Sequence, residues 1–213
     1  MDKTELLEYL KRAGFSKKIV DAFSSVNRED FVPPELEEQA YENTALPIGE
    51  GQTISQPYTI AIMLSELKLR AGQKVLEVGS GSGYVLALIS KIIGKRGRVY
   101  GIEIIKKIAD KSKKALVDFK NVRVYNRNGY KGLPEETPFD RILISAACRE
   151  IPQPLLNQLK DGGLLVAPQG SRFEQDIVVM QRKGNEFLLK TRIPGFIFVP
   201  LVEETEQNIQ NKK

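Results

Sequence analysis

One short stretch constrains the fold of this chain more than any other. Residues 75–83 read VLEVGSGSG, an apolar run that leads into three glycines at alternate positions. The run predicts a buried β-strand, and the glycines predict a tight turn where a ligand can approach the backbone and the start of the next helix. A dinucleotide-binding loop would have glycines at its first, third and sixth positions, but the sixth position counted from Gly79 is Tyr84.

The remainder of the chain after residue 74 repeats this alternation of strand and helix. Apolar runs predict strands at residues 74–78, 99–103, 122–125, 139–145 and 164–167. Helical patterns predict helices at residues 84–93, about 105–118, and near 154–159, with a break at Gly162-Gly163 before the last strand. Strands separated by helices form crossover units, so the sequence predicts an α/β fold with a mostly parallel, twisted sheet.

The end of the pattern differs from its beginning. Residues 177–181 and 187–193 are apolar runs that flank Lys183-Gly184-Asn185. A glycine-containing turn of this length joins antiparallel strands, so the sequence predicts a terminal hairpin and not another crossover. This hairpin disfavours an ordinary NAD dehydrogenase, because such enzymes keep their sheet parallel.

The first fifty residues predict a helical extension. Leu6, Leu7 and Leu10 share one helical face that Gly14 ends, and Ser16 can cap a second helix. Pro33-Pro34 is expected to end this regularity, and residues 46–57 are expected to form a loop before a helix that begins at Pro57. The predicted organisation is one domain over residues 1–213, with an N-terminal extension at 1–50, an α/β core at 51–202 and a polar tail at 203–213.

Two scarce residue types narrow the chemistry. The chain has no histidine and its only cysteine is Cys148, which excludes an internal disulfide and zinc clusters held by several thiolates. We therefore expect no metal, and a reaction that relies on carboxylates, hydroxyls, amides and a cofactor. The missing secretory signal, the lone cysteine and the lack of an apolar run of about eighteen residues predict a cytoplasmic protein without membrane contact.

The mild net charge of +5 is spread along the chain. Five lysines between residues 106 and 114 are the densest basic run, and their spacing suits the solvated face of a helix better than a nucleic-acid patch. A nucleic acid is thus a disfavoured partner.

The spacing of Gly79, Gly81 and Gly83 after Glu77 resembles motif I of adenosylmethionine-dependent methyltransferases of class I. These enzymes have a Rossmann-like sheet and commonly keep an acid at the position of Glu77 to organise the loop or the methionine end of the cofactor. A carboxylate inside an apolar strand would be costly without such a role. Glu103, at the end of the second strand, can accept hydrogen bonds from both ribose hydroxyls; its alternative is an exposed carboxylate at a strand end.

A more specific resemblance begins with residues 46–57, LPIGEGQTISQP. This segment resembles the signature of protein-L-isoaspartate O-methyltransferases, which act on isomerised aspartate in ageing proteins. Further stretches match in order and spacing across essentially the whole chain. They are residues 77–84, 132–135, 138–140, 145–147, 151–152, 158–163 and 198–201.

The resemblance implies a site for S-adenosyl-L-methionine, with S-adenosyl-L-homocysteine as product. It implies a loop over the cofactor formed by Gln52, Thr53, Ile54 and Ser55, with Ser55 as the active-site serine. It implies cofactor contacts from the central sheet at Glu77, Gly79, Ser80, Gly81 and Glu103. Asn128 and Gly129 match an Asp-Gly pair whose acid meets the adenine, and Val202 and Gln207 fall near late family contacts.

One position departs from the family pattern. The chain has Arg127-Asn128-Gly129 where the family usually has Gly-Asp-Gly. An asparagine oxygen can still accept a hydrogen bond from the adenine amino group, but it lacks the carboxylate's charge. We therefore expect weaker cofactor binding.

The implied reaction explains why a histidine is dispensable. The resemblance implies methyl transfer to the isoaspartyl carboxylate of damaged proteins, which initiates their repair. A carboxylic acid has a reference pKa of about 4, so this acceptor is already ionised at neutral pH and needs no base. Ser55 would orient the carboxylate; its alternative is the N-cap of the helix that begins at Pro57.

Three alternatives stay open on the sequence alone. A nucleic-acid (RNA) methyltransferase of the same fold typically carries an Asn/Asp-Pro-Pro-Tyr/Phe element or catalytic cysteines, whereas this chain has Ser145-Ala146-Ala147-Cys148. An inactive cofactor-binding paralogue is compatible with Asn128. A NAD dehydrogenase is disfavoured by the glycine spacing. Damaged proteins and peptides are the expected partners, and the protein is expected to be a monomer.

Overall fold

The computed structural model describes residues 1–202. The α-helices within them are α1 (Lys3–Arg12), α2 (Lys17–Ser25), α3 (Pro57–Glu66), α4 (Tyr84–Ile93), α5 (Lys106–Ala115) and α6 (Gln153–Asn157). The strands are β1 (Leu46–Gly49), β2 (Gln52–Ile54), β3 (Lys74–Val78), β4 (Arg98–Glu103), β5 (Val122–Asn126), β6 (Phe139–Ile144), β7 (Leu159–Gly170), β8 (Gln175–Lys183) and β9 (Glu186–Phe196). In this part of the chain no helix is both long and apolar enough to cross a membrane.

Seven of these strands form one sheet, in the order β5-β4-β3-β6-β7-β8-β9. The pairs from β5 to β7 are parallel, whereas β8 pairs antiparallel with both β7 and β9. The carboxyl ends of the parallel strands therefore share one edge, where the chain leaves β3 through residues 79–83, called here the glycine loop. The predicted α/β sheet with its antiparallel terminal hairpin is confirmed.

Helices pack on both faces of the sheet and bury its apolar side chains. Successive residues of a strand face opposite sides, so Val75 joins the cluster with α1, α2 and α4 while Leu76 joins a cluster on the other face. At Gly101 of β4 a Cβ atom would lie 2.5 Å from Cδ1 of Leu86. Glycine is needed there because α4 packs directly on the strand.

The predicted break at Gly162-Gly163, between the last helix and its strand, is wrong. Strand β7 begins at Leu159 and runs through both glycines. Its pairing with β6 jumps from Leu159 to Leu164 while β6 advances only from Phe139 to Arg141. The extra residues bulge out of the ladder, and Gly162 takes a φ of +73° there, so the glycines serve a bulge inside the strand.

The N-terminal predictions hold in part. Helix α1 buries Leu6 and Leu10 as predicted, and Ser16 stands at the N-cap of α2, although its side chain makes no capping hydrogen bond. Pro34 does not end the regularity but begins a 3₁₀ turn over Pro34–Gln39, because proline suits a first helical position.

The predicted loop at residues 46–57 is instead an antiparallel hairpin of β1 and β2, the N-terminal hairpin. Its turn is formed by Gly49, Glu50 and Gly51, which all have positive φ. The strands have only four and three residues, too few for an alternating pattern to stand out from the glycines and prolines around them. This hairpin also spans the predicted boundary between residues 50 and 51.

Candidate active site

The glycine loop folds back over the end of β4. The N–H groups of Gly79 and Ser80 both donate to the carbonyl of Ile102, at 2.9 and 3.0 Å. Gly79, Gly81 and Gly83 have φ values of +76°, +50° and +90°, a region that a residue with a Cβ rarely adopts. The alternate spacing of the glycines is therefore a backbone requirement of this turn.

The side chain of Glu103, at the end of β4, is enclosed by the glycine loop. Its side chain is 5% exposed, which excludes the alternative of an exposed carboxylate at a strand end. One carboxylate oxygen accepts a hydrogen bond from Gly81 N at 2.9 Å and the other from Ile105 N at 2.8 Å. Burial raises the pKa of Glu103, and these backbone hydrogen bonds oppose that shift because they stabilise the charged form.

Glu77 lies deeper, in the middle of the sheet, and is 1% exposed. Ser145 Oγ donates to its Oε1 at 2.7 Å, while Oε2 has no hydrogen-bond partner among the described residues. Burial raises the pKa of Glu77 to about 8; the Ser145 hydrogen bond lowers it, and the charge of Glu103 raises it further. A carboxylate oxygen without a donor is costly inside a protein, so it marks a place for a ligand donor.

Ser145 was not predicted as a site residue. It directly follows β6, the strand that pairs with β3, and its N–H donates to Val78 O at 2.8 Å. The available signal was a polar residue at the end of an apolar strand, but only the pairing of β3 with β6 shows which carboxylate it meets.

The N-terminal hairpin brings the predicted cofactor loop to the same edge of the sheet. Thr53, Ile54 and Ser55 line a small cavity together with Glu77, and Gln52 and Thr53 line a larger one together with Glu103. The Ser55 hydroxyl makes no hydrogen bond within residues 1–202. Since Gln56 occupies the N-cap of α3, the alternative role of Ser55 as that N-cap is wrong.

Asn128 and Gly129 close the larger cavity after β5. At Gly129 a Cβ atom would lie 2.4 Å from Cγ1 of Val78, so the close approach of this loop to β3 requires glycine. Asn128 Oδ1 accepts a hydrogen bond from Tyr130 N at 2.8 Å, and its Nδ2 lies 3.4 Å from Val202 O. The amide is therefore oriented by its own loop.

Residues 199–202 form a wall that the sequence only partly predicts. Ala147 N donates to Val199 O, and Leu201 N donates to Ala147 O, both at 2.7 Å. These bonds fix the segment beside the exit of β6, where all four residues line the larger cavity. Val202, predicted near a late contact, is among them, whereas Gln207 lies outside the described residues.

The two cavities are neighbours, since both are lined by Thr53, Gly79, Gly81 and Ser145. The larger cavity has a volume of about 410 Å³ and the smaller one of about 40 Å³. Their described walls contain three carboxylates, those of Glu50, Glu77 and Glu103, and no lysine or arginine. Residues 1–202 also contain no group of three or more acidic, cysteine or histidine side chains that could hold a metal. This arrangement suits an organic ligand with positive charge and hydroxyl groups.

The buried state of Glu77 predicts a pH effect on stability. The unfolded chain ionises this group near pH 4.5, whereas the folded protein keeps it protonated up to a pKa of about 8. Its contribution to the free energy of unfolding is therefore present at low pH and is lost as the pH rises between these values. We expect Glu77→Gln to remove up to about 1.4 kcal/mol per pH unit from this dependence, as measured by urea unfolding.

The exposed Glu8 provides the control, because Glu8→Gln should leave the pH dependence of the parent protein in place. Parallel curves for the parent and the Glu77→Gln variant would contradict a protonated Glu77.

Comparison with known proteins identifies the family. The model of the protein-L-isoaspartate (D-aspartate) O-methyltransferase family matches residues 1–206. The protein-L-isoaspartate O-methyltransferase of Staphylothermus marinus is 44% identical over 214 residues, covering 95% of each chain. The protein of the same name from Ignicoccus hospitalis is 42% identical, over 95% of this chain and 98% of its own.

Solved structures agree with these relatives. A protein-L-isoaspartate O-methyltransferase superposes with a TM-score of 0.87 at 28% identity, over 98% of this chain and 70% of that one. A Plasmodium falciparum protein, described as a candidate member of the same enzymes and bound to S-adenosyl-L-homocysteine, gives a TM-score of 0.84 at 27% identity, over 95% and 99%. The chain therefore belongs to the protein-L-isoaspartate O-methyltransferase family, as its sequence predicts.

Proposed function

We propose that this protein transfers a methyl group from S-adenosyl-L-methionine to the carboxylate of isoaspartyl residues in damaged proteins, which initiates their repair. The observation that carries the proposal is the small cavity shared by Ser55 and Glu77. Within residues 1–202 it combines a hydroxyl that makes no hydrogen bond, suited to an incoming carboxylate, with a carboxylate oxygen of Glu77 that accepts none, suited to a cationic cofactor. The family membership supports the same reaction.

The residues present fit this cofactor. Glu77 Oε2, which has no partner within residues 1–202, is suited to accept from an ammonium group, and Glu103 lies in the larger cavity, where a ribose would need an acceptor. Gly129 lines the larger cavity where its loop approaches Val78 too closely for a side chain. We propose that the cofactor is held by Gln52, Thr53, Ile54, Ser55, Glu77, Gly79, Ser80, Gly81, Glu103, Asn128 and Gly129. When bound, the cofactor supplies an electrophilic methyl group.

Asn128 has a weaker role than an aspartate would have at this position. Its Oδ1 accepts from Tyr130 N, and an amide oxygen is a neutral acceptor for the amino group of a base. The bond formed there lacks the charge of a carboxylate. We therefore propose that Asn128 orients the adenine and contributes less to affinity than the family's usual acid.

The protein's main task in the reaction is alignment. The isoaspartyl carboxylate is ionised at neutral pH, so no side chain of the site has to remove a proton. Ser55 donates a hydrogen bond that holds the carboxylate in place. Ile54 and Ile60 line the same cavity, and these apolar walls exclude water and favour a reaction in which opposite charges neutralise each other.

We further propose that residues 1–213 act as one methyltransferase domain, with residues 1–50 as its extension and 203–213 as a polar tail. The shared hydrophobic cluster of Leu6, Phe23 and Leu86 supports this proposal because it joins α1 and α2 to α4, which covers the sheet.

A cytoplasmic location and a monomeric state stay predictions, which cell fractionation and sedimentation would test.

The proposed reaction is tested by label transfer from adenosylmethionine to an isoaspartyl peptide, with the matching aspartyl peptide as control. We expect a base-labile methyl ester on the isoaspartyl peptide alone. Binding of the cofactor without transfer would contradict the proposal in favour of an inactive paralogue, and transfer to RNA would contradict it in favour of a nucleic-acid enzyme.

The role of Ser55 predicts a split between turnover and cofactor affinity. A hydrogen bond to a charged group contributes about 1.5–3 kcal/mol, so Ser55→Ala should lower kcat by about 10- to 100-fold. The Kd of S-adenosylhomocysteine, measured by calorimetry, should change much less. Ser16→Ala is the control, because Ser16 is exposed and makes no capping bond. Equal losses in kcat and cofactor affinity would refute the role.

A further inference from the structure

Arg28 is a buried cation that the reaction described above leaves without a role. It lies between α2 and the 3₁₀ turn Glu29–Phe31, and it is 0% exposed. Its Nε and Nη1 have no hydrogen-bond partner within residues 1–202. The acid next to it in sequence, Glu29, accepts a hydrogen bond from the hydroxyl of Tyr41 instead.

The burial of Arg28 is costly for folding. Desolvation lowers the pKa of Arg28 to about 10, because burial disfavours the charged form of the guanidinium. An apolar side chain of similar length would occupy the same space without this cost. Arg28 is therefore better explained by a role in the site than by a contribution to the free energy of unfolding.

Two contacts of Arg28 lead towards the active site. Its Cζ lies 5.3 Å from the ring centroid of Tyr84, and its Nη2 donates to Thr44 O at 3.4 Å. Tyr84 is the first residue of α4 and lines the small cavity together with Ser55 and Glu77. Thr44 lies two residues before β1, the first strand of the N-terminal hairpin. The guanidinium thus connects a wall of the small cavity with the start of this hairpin.

The segment that Arg28 contacts is also fixed to α3. Asn43 Oδ1 accepts a hydrogen bond from Tyr58 N at 3.0 Å, in the first turn of that helix. Ser55 lies between β2 and α3, and β2 pairs with β1, which follows residues 43–44. The chain on both sides of Ser55 is therefore tied to residues 43–44, and a shift of this segment would move both.

We propose that Arg28 is a positioning residue for methyl transfer. Its guanidinium holds residues 43–44 and the ring of Tyr84 in one arrangement, and this arrangement places the Ser55 hydroxyl for the substrate carboxylate. A planar guanidinium suits the role because its face stacks on a ring while its edge donates to a carbonyl, whereas a lysine ammonium is a point charge without this fixed geometry. This inference rests on the proposed function.

The test removes the guanidinium in two ways. Arg28→Met replaces it with an apolar chain, and Arg28→Lys keeps the charge without the planar group. Arg141→Met is the matched control, because Arg141 is a partly buried arginine whose Nε and Nη1 donate to Leu67 O and Asp140 O, both at 2.6 Å. It pairs with Val75 near the start of β3, away from the carboxyl edge of the sheet.

Four properties are measured for each protein. They are kcat and KM with an isoaspartyl peptide, the Kd of S-adenosylhomocysteine, the midpoint of urea unfolding, and amide hydrogen exchange of residues 46–54, which contain the N-terminal hairpin. Exchange of β3 serves as the internal reference.

We expect Arg28→Met to lower kcat by about 10- to 100-fold, because a small displacement of an aligning group has an effect of this size. Exchange in the N-terminal hairpin should become about tenfold faster while that of β3 stays the same. The urea midpoint should stay the same or rise, and the Kd of S-adenosylhomocysteine should change much less than kcat. Arg28→Lys should lower kcat by a smaller factor, whereas Arg141→Met should lower the urea midpoint and keep the parent kcat.

The parent kcat in a folded Arg28→Met protein would overturn the inference and leave the proposed function standing. A lowered kcat with unchanged exchange in the hairpin would overturn it too, since the effect would then not act through the hairpin. If Arg28→Met does not fold, Arg28→Lys decides: parent kcat in that variant, or its failure to fold as well, would assign Arg28 to folding alone. Absence of transfer by the parent protein would overturn the proposed function itself, and hydrogen exchange would still report whether Arg28 holds the hairpin.

Discussion

The site depends on how one loop is tied to one strand end. The carbonyl of Ile102 accepts from two consecutive N–H groups of the glycine loop, and the carboxylate of Glu103 accepts from a third. These bonds bring the exits of β3 and β4 together and place Gly83 at the start of α4. They also bury Glu103 in a position where its charge is stabilised by amides and not by a basic side chain.

The same arrangement makes the site acidic at its centre. Two buried carboxylates lie close enough for the charge of Glu103 to raise the pKa of Glu77, and none of the described lining of either cavity carries a compensating cation. The free protein limits this cost by protonating Glu77 and by the hydrogen bond from Ser145. A ligand that brings a positive charge would remove the remaining cost, so the raised pKa of Glu77 and an affinity for a cationic cofactor have the same origin.

Much of the fold could be predicted from local sequence, and the features that were not predicted share one cause. Strand β3 and helix α4 have the predicted bounds, because apolar periodicity and glycine mark them within a few residues. The bulge at Gly162, the pairing of β1 with β2 and the meeting of Ser145 with Glu77 all depend on which distant segment lies alongside. Periodicity within one segment carries no information about that partner. Resemblance to the family predicted the residues of the site more fully than periodicity, yet of the wall at residues 199–202 it gave a role to Val202 alone.

We propose that the acid-lined cavities together form one site for an adenosine-containing amino acid. A crystal structure of the protein with S-adenosyl-L-homocysteine would test this proposal. We expect ribose hydroxyls within hydrogen-bond distance of Glu103, the base beside Asn128 and Gly129, and the amino group at Oε2 of Glu77. Electron density for the ligand elsewhere on the molecule, or a bound ligand that leaves Glu77 and Glu103 without contact, would show that the proposal is wrong.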